Sequence, residues 1–190
     1  MGTSSDGPDR RRRVALTGTP GTGKSAVGRR LGDSRPVIEV ADLALREGCG
    51  DRRGRSVVVD LPALGRRVAK AGTLPPGTVV VGHLAHLLPI RDAIVLRCRP
   101  DVLVRRLRSA HRGSAADRRE NFLSEALDVV LGEAEGLGRK VWEVDTTGRT
   151  VAAVAREVES ILAHRPRAAR ARVDWLPDPR VAAHLLDPPA

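Results

Sequence analysis

Residues 18–25 read Gly-Thr-Pro-Gly-Thr-Gly-Lys-Ser, an instance of G-x-x-x-x-G-K-[ST]. The chemistry this pattern offers is phosphate binding. Gly18, Gly21 and Gly23 let successive backbone N–H groups turn towards an anion, with Thr19, Pro20 and Thr22 between them. A helix starting at Lys24 adds its positive N-terminal end. The Lys24 ammonium is then placed for the β- and γ-phosphates of ATP, and the Ser25 hydroxyl for Mg²⁺. The context agrees. Val14-Ala15-Leu16-Thr17 reads as a short buried strand before the loop, and Ala26, Val27 and Leu31 make an apolar stripe after it. The alternative is a chance glycine turn, which an eight-residue pattern between a strand and a helix argues against.

A phosphate loop does not name a reaction. No guanine-reading N-K-x-D occurs in the chain, and 190 residues are too few for a large motor or transporter ATPase. Small phosphoryl-transfer kinases remain. Cys49 and Cys98 are too few for a disulfide framework or a zinc site. His83 and His86 are three apart, on one helical face, but no Cys or carboxylate completes a zinc ligand set. No structural metal cluster is expected.

Lys and Arg outnumber Asp and Glu by 33 to 23, a net charge of +10, and only Lys24, Lys70 and Lys140 are lysines. Guanidinium forks grip phosphate in pairs of hydrogen bonds, so the excess favours nucleotide or RNA partners. A GC-rich genome writing Arg onto solvated faces is the plainer reading of most individual arginines. One Phe, two Trp and no Tyr argue against a base-stacking RNA platform, leaving electrostatic, salt-sensitive contact.

The elements that must position these groups alternate. Strands are expected at 14–17, 37–40, 78–81, 93–96 and 141–144, with an extended segment at 56–60. Helices are expected at 24–31, 42–47, 64–71, 101–108, 119–135 and 151–163, and loops at 51–55 and 111–117. This order predicts an α/β fold, a parallel sheet flanked by helices. Residues 1–12 form a basic leader ending in arginines, 13–164 the P-loop kinase domain, and 165–190 a tail that packs on the domain or waits for a partner. No apolar run approaches the roughly 20 residues of a membrane span, and the leader lacks a secretory core. A reducing, cytoplasmic location is expected.

Several segments in order resemble one family. They are Ala15-Leu16-Thr17-Gly18-Thr19-Pro20-Gly21-Thr22-Gly23-Lys24-Ser25, Ala41-Asp42-Leu43-Ala44, Val58-Val59-Asp60, Gly82-His83-Leu84-Ala85-His86-Leu87-Leu88 and Val95-Leu96-Arg97. Glu120-Asn121, Glu125-Ala126-Leu127-Asp128-Val129 and the stretch from Lys140 through Asp145-Thr146-Thr147-Gly148 to Thr150 follow. Over about residues 13–163 the chain resembles the atypical adenylate kinases of isoenzyme-six type, particularly archaeal ones. Asp174-Trp175-Leu176 resembles the tail of some members more weakly.

The resemblance implies a nucleoside monophosphate kinase fold with a short lid. It implies phosphoryl transfer from ATP to AMP with accompanying ATPase activity. It also implies a role in small ribosomal subunit maturation, with a small-subunit ribosomal protein and pre-rRNA as partners. On the donor side it adds Arg97 near the nucleotide and Thr146 and Thr147 in an adenine-side loop, where Thr147 could equally cap a helix. On the acceptor side, about 33–71, it adds Asp42, Arg46, Asp60, Gly82 and His83. Asp42 and Arg46 could instead be a solvated helix face, Asp60 a helix cap, and His83 a hydrogen-bonded histidine.

Two departures stand out. Many members carry an acid two residues before the His83 position, and here that residue is Val81. Mg²⁺ is then left to Ser25, phosphate and water, or to another acid such as Asp60. The lid, about 108–119, lacks the family's aromatic and lysine, and Arg108, Arg112 and Arg118 are its candidate arginines. Lys24, His83 and Arg112 form the expected catalytic set. Two rival readings remain: a nucleotide-gated ribosome-assembly factor with little turnover, and a small-metabolite kinase.

Overall fold

The computed structural model describes residues 12–54, 56–70, 72–166 and 173–189. Strand β1 (Val14–Thr17) runs through the middle of a five-stranded sheet in the order β2-β5-β1-β6-β7, all neighbours parallel. The others are β2 (Val37–Glu39), β5 (Val79–Val81), β6 (Asp92–Arg97) and β7 (Lys140–Asp145). β1, β5 and β6 are buried along their whole length, as near-continuous apolar runs require when helices cover both faces.

Helices α1 (Lys24–Leu31) and α7 (Val151–His164) cover one face, where Val27, Leu31, Val154, Val158 and Leu162 pack on Leu16, Val81 and Leu96. The other face is closed by α2 (Val40–Arg46), α3 (Leu61–Ala69) and α6 (Val129–Gly136). There Leu43, Leu64, Val68, Leu131 and Ala134 meet Ala15, Val80 and Val95. The chain leaves β1 for β2 on one side and later returns to β6 on the other. The crevice at the C-terminal end of β1 is therefore where the winding reverses, the usual ligand position in such sheets.

Several element expectations are corrected. The charged loop expected at 51–55 is instead largely a strand, β3 (Gly50–Arg53), paired antiparallel with β4 (Ser56–Val59), which is the extended segment expected at 56–60. α2 and α3 each begin earlier than expected, α3 behind the Asp60 cap with Pro62 in its first turn. α4 spans Pro100–Ser109. The loop expected at 111–117 ends sooner, because Ser114 and Asp117 form a reciprocal capping box that starts α5 (Ala115–Ala126). Only a short turn thus separates α4 from α5.

The single helix expected at 119–135 is two helices. Asp128 adopts a left-handed backbone (φ 56°) between α5 and α6, and its carboxylate binds Arg97. Apolar spacing is blind to a break set by a distant ion pair.

The leader falls outside the described residues up to Arg11. Arg13 donates to the carbonyl of Leu74 at 2.5 Å. Of the tail, Arg165 pairs with buried Asp92 at the start of β6. Residues 173–189, including α8 (Pro179–Ala182), lie against α4 and α5, where Trp175 and Val181 bury with Val104, Phe122 and Ala126. The described part of the tail packs on the domain. No helix among the described residues is long and apolar enough to cross a membrane.

Candidate active site at the phosphate loop

The loop is built by close approach. Gly18 has φ 137°, and a Cβ there would lie 2.3 Å from the Leu96 carbonyl oxygen, so the loop rests directly on β6. Gly23 caps α1 in the left-handed region without a side-chain hydrogen bond. The first-turn N–H groups of α1 thus remain for an anion.

Lys24 is buried. Its Nζ donates to the carbonyls of Gly18 at 2.7 Å and Thr19 at 3.0 Å. Burial lowers its pKa to about 8; Glu125 and Glu39 oppose that shift and Arg112 adds to it.

A cavity of about 810 Å³ opens over this corner. Gly21, Gly23, Lys24 and Ser25 form its floor. Glu39 from the end of β2, Gly82 and His83 from the end of β5, and Arg112 from the turn between α4 and α5 stand in its walls. Burial lowers the His83 pKa, and the charges of Lys24 and His86 lower it further, so its imidazole stays neutral more readily than a free one. Burial raises that of Glu39, while a Ser25 hydrogen bond opposes the rise. His86 is fully buried between the Thr17 hydroxyl (2.9 Å) and Glu133 (2.9 Å), the hydrogen-bonded histidine that its position suggests.

Other expected site residues do not reach the cavity. Asp60 is an exposed cap whose carboxylate accepts from the Ala63 N–H at 2.9 Å, so it is not the acid that stands in for Val81. Arg46 is exposed and held by Glu47 and the Thr73 carbonyl, and Asp42 lies on the outer face of α2. Arg108 and Arg118 do not line the cavity; Arg118 donates to the Gly113 carbonyl. Thr147 accepts from the Arg99 N–H, and the cap of α7 is Thr150 instead.

Arg106 was missed by sequence reading. It lines the cavity and donates to the Thr146 hydroxyl (3.0 Å) and carbonyl (2.7 Å), tying the loop after β7 to α4. Its only signal is its place on the helix, one residue before Leu107, which packs on Gly21.

Arg97 is turned inward. Its guanidinium is saturated by Glu125 (2.9 Å), Glu143 (2.9 Å) and Asp128, and it lines no part of the cavity. Glu125, only 2% exposed, also accepts from the Thr19 hydroxyl (2.5 Å), the Cys98 N–H (3.0 Å) and the Trp175 indole N–H (3.2 Å). One buried carboxylate therefore joins the phosphate loop, β6 and the C-terminal segment. Arg97 supports the loop through Glu125. Cys98 is buried beside it, and burial pushes its thiol up to about 11, out of nucleophile range.

Residues 14–128 match the family described as an AAA domain. A protein named "Putative adenylate kinase" from Archaeoglobus fulgidus is 41% identical over 170 residues, covering 86% of this chain and 91% of that one. One of the same name from Pyrococcus furiosus is 36% identical over 165 residues, covering 85% and 90%. The chain belongs to this family. Among solved structures, a shikimate kinase from Acinetobacter baumannii aligns with a TM-score of 0.57 at 13% identity, covering 83% of this chain and 96% of that one. A gluconokinase from Sinorhizobium meliloti aligns at 0.52 and 22% identity, covering 82% and 94%. At those identities they speak for the fold alone: a P-loop kinase fold with a parallel sheet between helices.

Among the described residues no group of three or more His, Cys, Asp or Glu could hold a metal ion unaided. Mg²⁺ does not need one: it binds through one or two protein oxygens with substrate phosphates and water, and the Ser25 hydroxyl fits that chemistry.

The Lys24 shift has a measurable consequence. Triphosphate favours the ammonium, so nucleotide binding raises a pKa that starts at about 8. At roughly pH 9 ATP binding should take up a fraction of a proton, and affinity should weaken as pH rises through that range. At roughly pH 6.5 Lys24 is already charged and contributes no uptake. Calorimetry in buffers of different ionisation enthalpy reads the proton count directly.

Proposed function

We propose that the protein transfers the γ-phosphoryl group of ATP to AMP. The observation that carries this is the buried Lys24 in a glycine loop at the sheet's winding reversal, opening on a cavity shared with His83 and Arg112. The loop amides and Lys24 hold the donor phosphates, and Lys24 leaves the Gly18 and Thr19 carbonyls to do so. Bound Mg²⁺, held on the protein side by Ser25, would neutralise phosphate charge. Arg112 meets the charge developing on the transferred group. His83, kept neutral by burial, orients the attacking oxygen or water without adding repulsion to Lys24. Arg106 and Thr146 border the base end of the donor site. Phosphoryl transfer depends on positioning and charge neutralisation, and these residues supply both.

The same site hydrolyses ATP slowly when no acceptor is bound. In this proposal hydrolysis serves small ribosomal subunit maturation, with a ribosomal protein and pre-rRNA as partners and the +10 charge favouring the RNA. Val81, where the resemblance to the family implies an acid, favours a second reading in which the protein is a nucleotide-gated assembly factor with little turnover. A coupled assay with ATP against AMP, other monophosphates, shikimate and gluconate separates the readings. Robust ADP formation with AMP supports the first. A better metabolite acceptor defeats it, and tight ATP binding without turnover favours the second.

A further inference from the structure

The end of β5 is apolar where it meets the loop helix. Val81 is fully buried, and its side chain packs against α1 at Gly28, where a Cβ would lie 2.9 Å from Val81 Cγ2. Parallel neighbours in register point to the same face. Glu39 is the register partner of Val81 on the adjoining strand β2, so it lies on the α1 side. It lines the cavity with Lys24 and Ser25, both close enough to favour its ionised form. Of the other carboxylates lining the cavity, Asp117 is held in the α5 capping box, Glu133 pairs with His86, and Glu120 is exposed on α5.

A carboxylate here faces a difficulty if the cavity holds a nucleotide. The phosphates of ATP bring roughly four negative charges, and the cations that act on Glu39 at this corner are Lys24 and Arg29. Glu39 beside Ser25 repels that phosphate tail unless a divalent cation lies between them.

We infer that Glu39 is the acid that supports the nucleotide's divalent cation in this chain, so that β2 supplies from the sheet edge what Val81 on β5 does not. The inference rests on the reading of the loop as an ATP site. It makes Glu39 a cation-dependent switch of affinity: unfavourable to metal-free ATP and favourable to its Mg²⁺ complex.

The test is the ratio of ATP dissociation constants measured by calorimetry in EDTA and in excess Mg²⁺, for the wild type, Glu39→Gln and Glu39→Asp. Glu39→Gln should bind metal-free ATP as tightly as the wild type or more tightly, and Mg²⁺–ATP more weakly, shrinking the ratio about tenfold. Glu39→Asp keeps the charge and should keep most of the ratio. Electron paramagnetic resonance of Mn²⁺ titrated into the ATP complex should show weaker Mn²⁺ binding in Glu39→Gln alone. A merely structural role would move both dissociation constants in the same direction. An unchanged ratio in a folded Glu39→Gln, with ATP still bound, overturns the inference and leaves the ATP site standing. Failure of the wild type to bind ATP in either condition overturns the site itself. Should Glu39→Gln not fold, Glu39→Ala takes its place in the same comparison: weaker Mn²⁺ binding with metal-free ATP binding intact supports the role, and unchanged Mn²⁺ affinity overturns it.

Discussion

Lys24→Ala should lower phosphoryl transfer by at least ~100-fold, about 2.7 kcal/mol of transition-state stabilisation. The ammonium is the cation that emerges from the floor of the loop, held by the Gly18 and Thr19 carbonyls until phosphate replaces them. Its removal should leave the fold intact, because Lys24 is a buried cation whose lowered pKa already reports an unfavourable environment for charge. An unchanged or raised melting temperature beside a lost rate is the expected pair. Retained turnover would show that the loop is not the donor site.

Glu125→Gln should have the larger effect on stability. The wild-type carboxylate faces Arg97, Thr19, the Cys98 N–H and Trp175 in an environment closed to water. Removing its charge leaves a buried guanidinium less compensated and presents amide hydrogens to donors. Breaking such a pair costs about 3–5 kcal/mol. In a chain of this size that lowers the melting temperature by roughly 6–20 °C. The ATP dissociation constant should rise with it, since Thr19 loses its anchor. Trp175→Phe takes one donor from the same carboxylate and leaves the ion pair, so its cost should be nearer ~1.5 kcal/mol. Equal, small losses in both variants would show that Glu125 is not a hub.

Much of the fold was legible because its signals are local. The apolar runs at β1, β5 and β6 specify buried strands wherever they are placed. What sequence reading lost was what depends on partners far along the chain. The break at Asp128 is fixed by Arg97, 31 positions away, and a helical apolar pattern runs across it undisturbed. β3 carries charges on exposed positions, so composition reads it as loop although its backbone is paired with β4. Ser114 and Asp117 do carry a local capping signal that could have shortened the loop at 111–117.

The candidate site divides in the same way. The phosphate loop was determined by the sequence alone, because N–H groups, a helix start, a lysine and a serine are brought together by consecutive residues with the φ angles that glycine permits. Arg97, Asp60 and Arg46 have the right chemistry at motif positions, yet tertiary structure turned the first into a triad of carboxylates and used the others as a cap and a surface tether. Glu39, Arg106 and Glu125 became candidates only when strand register and helix packing set them beside the loop. Local geometry can be written into a short segment. The direction and company of a long charged side chain are decided by whichever opposite charges the folded chain buries next to it.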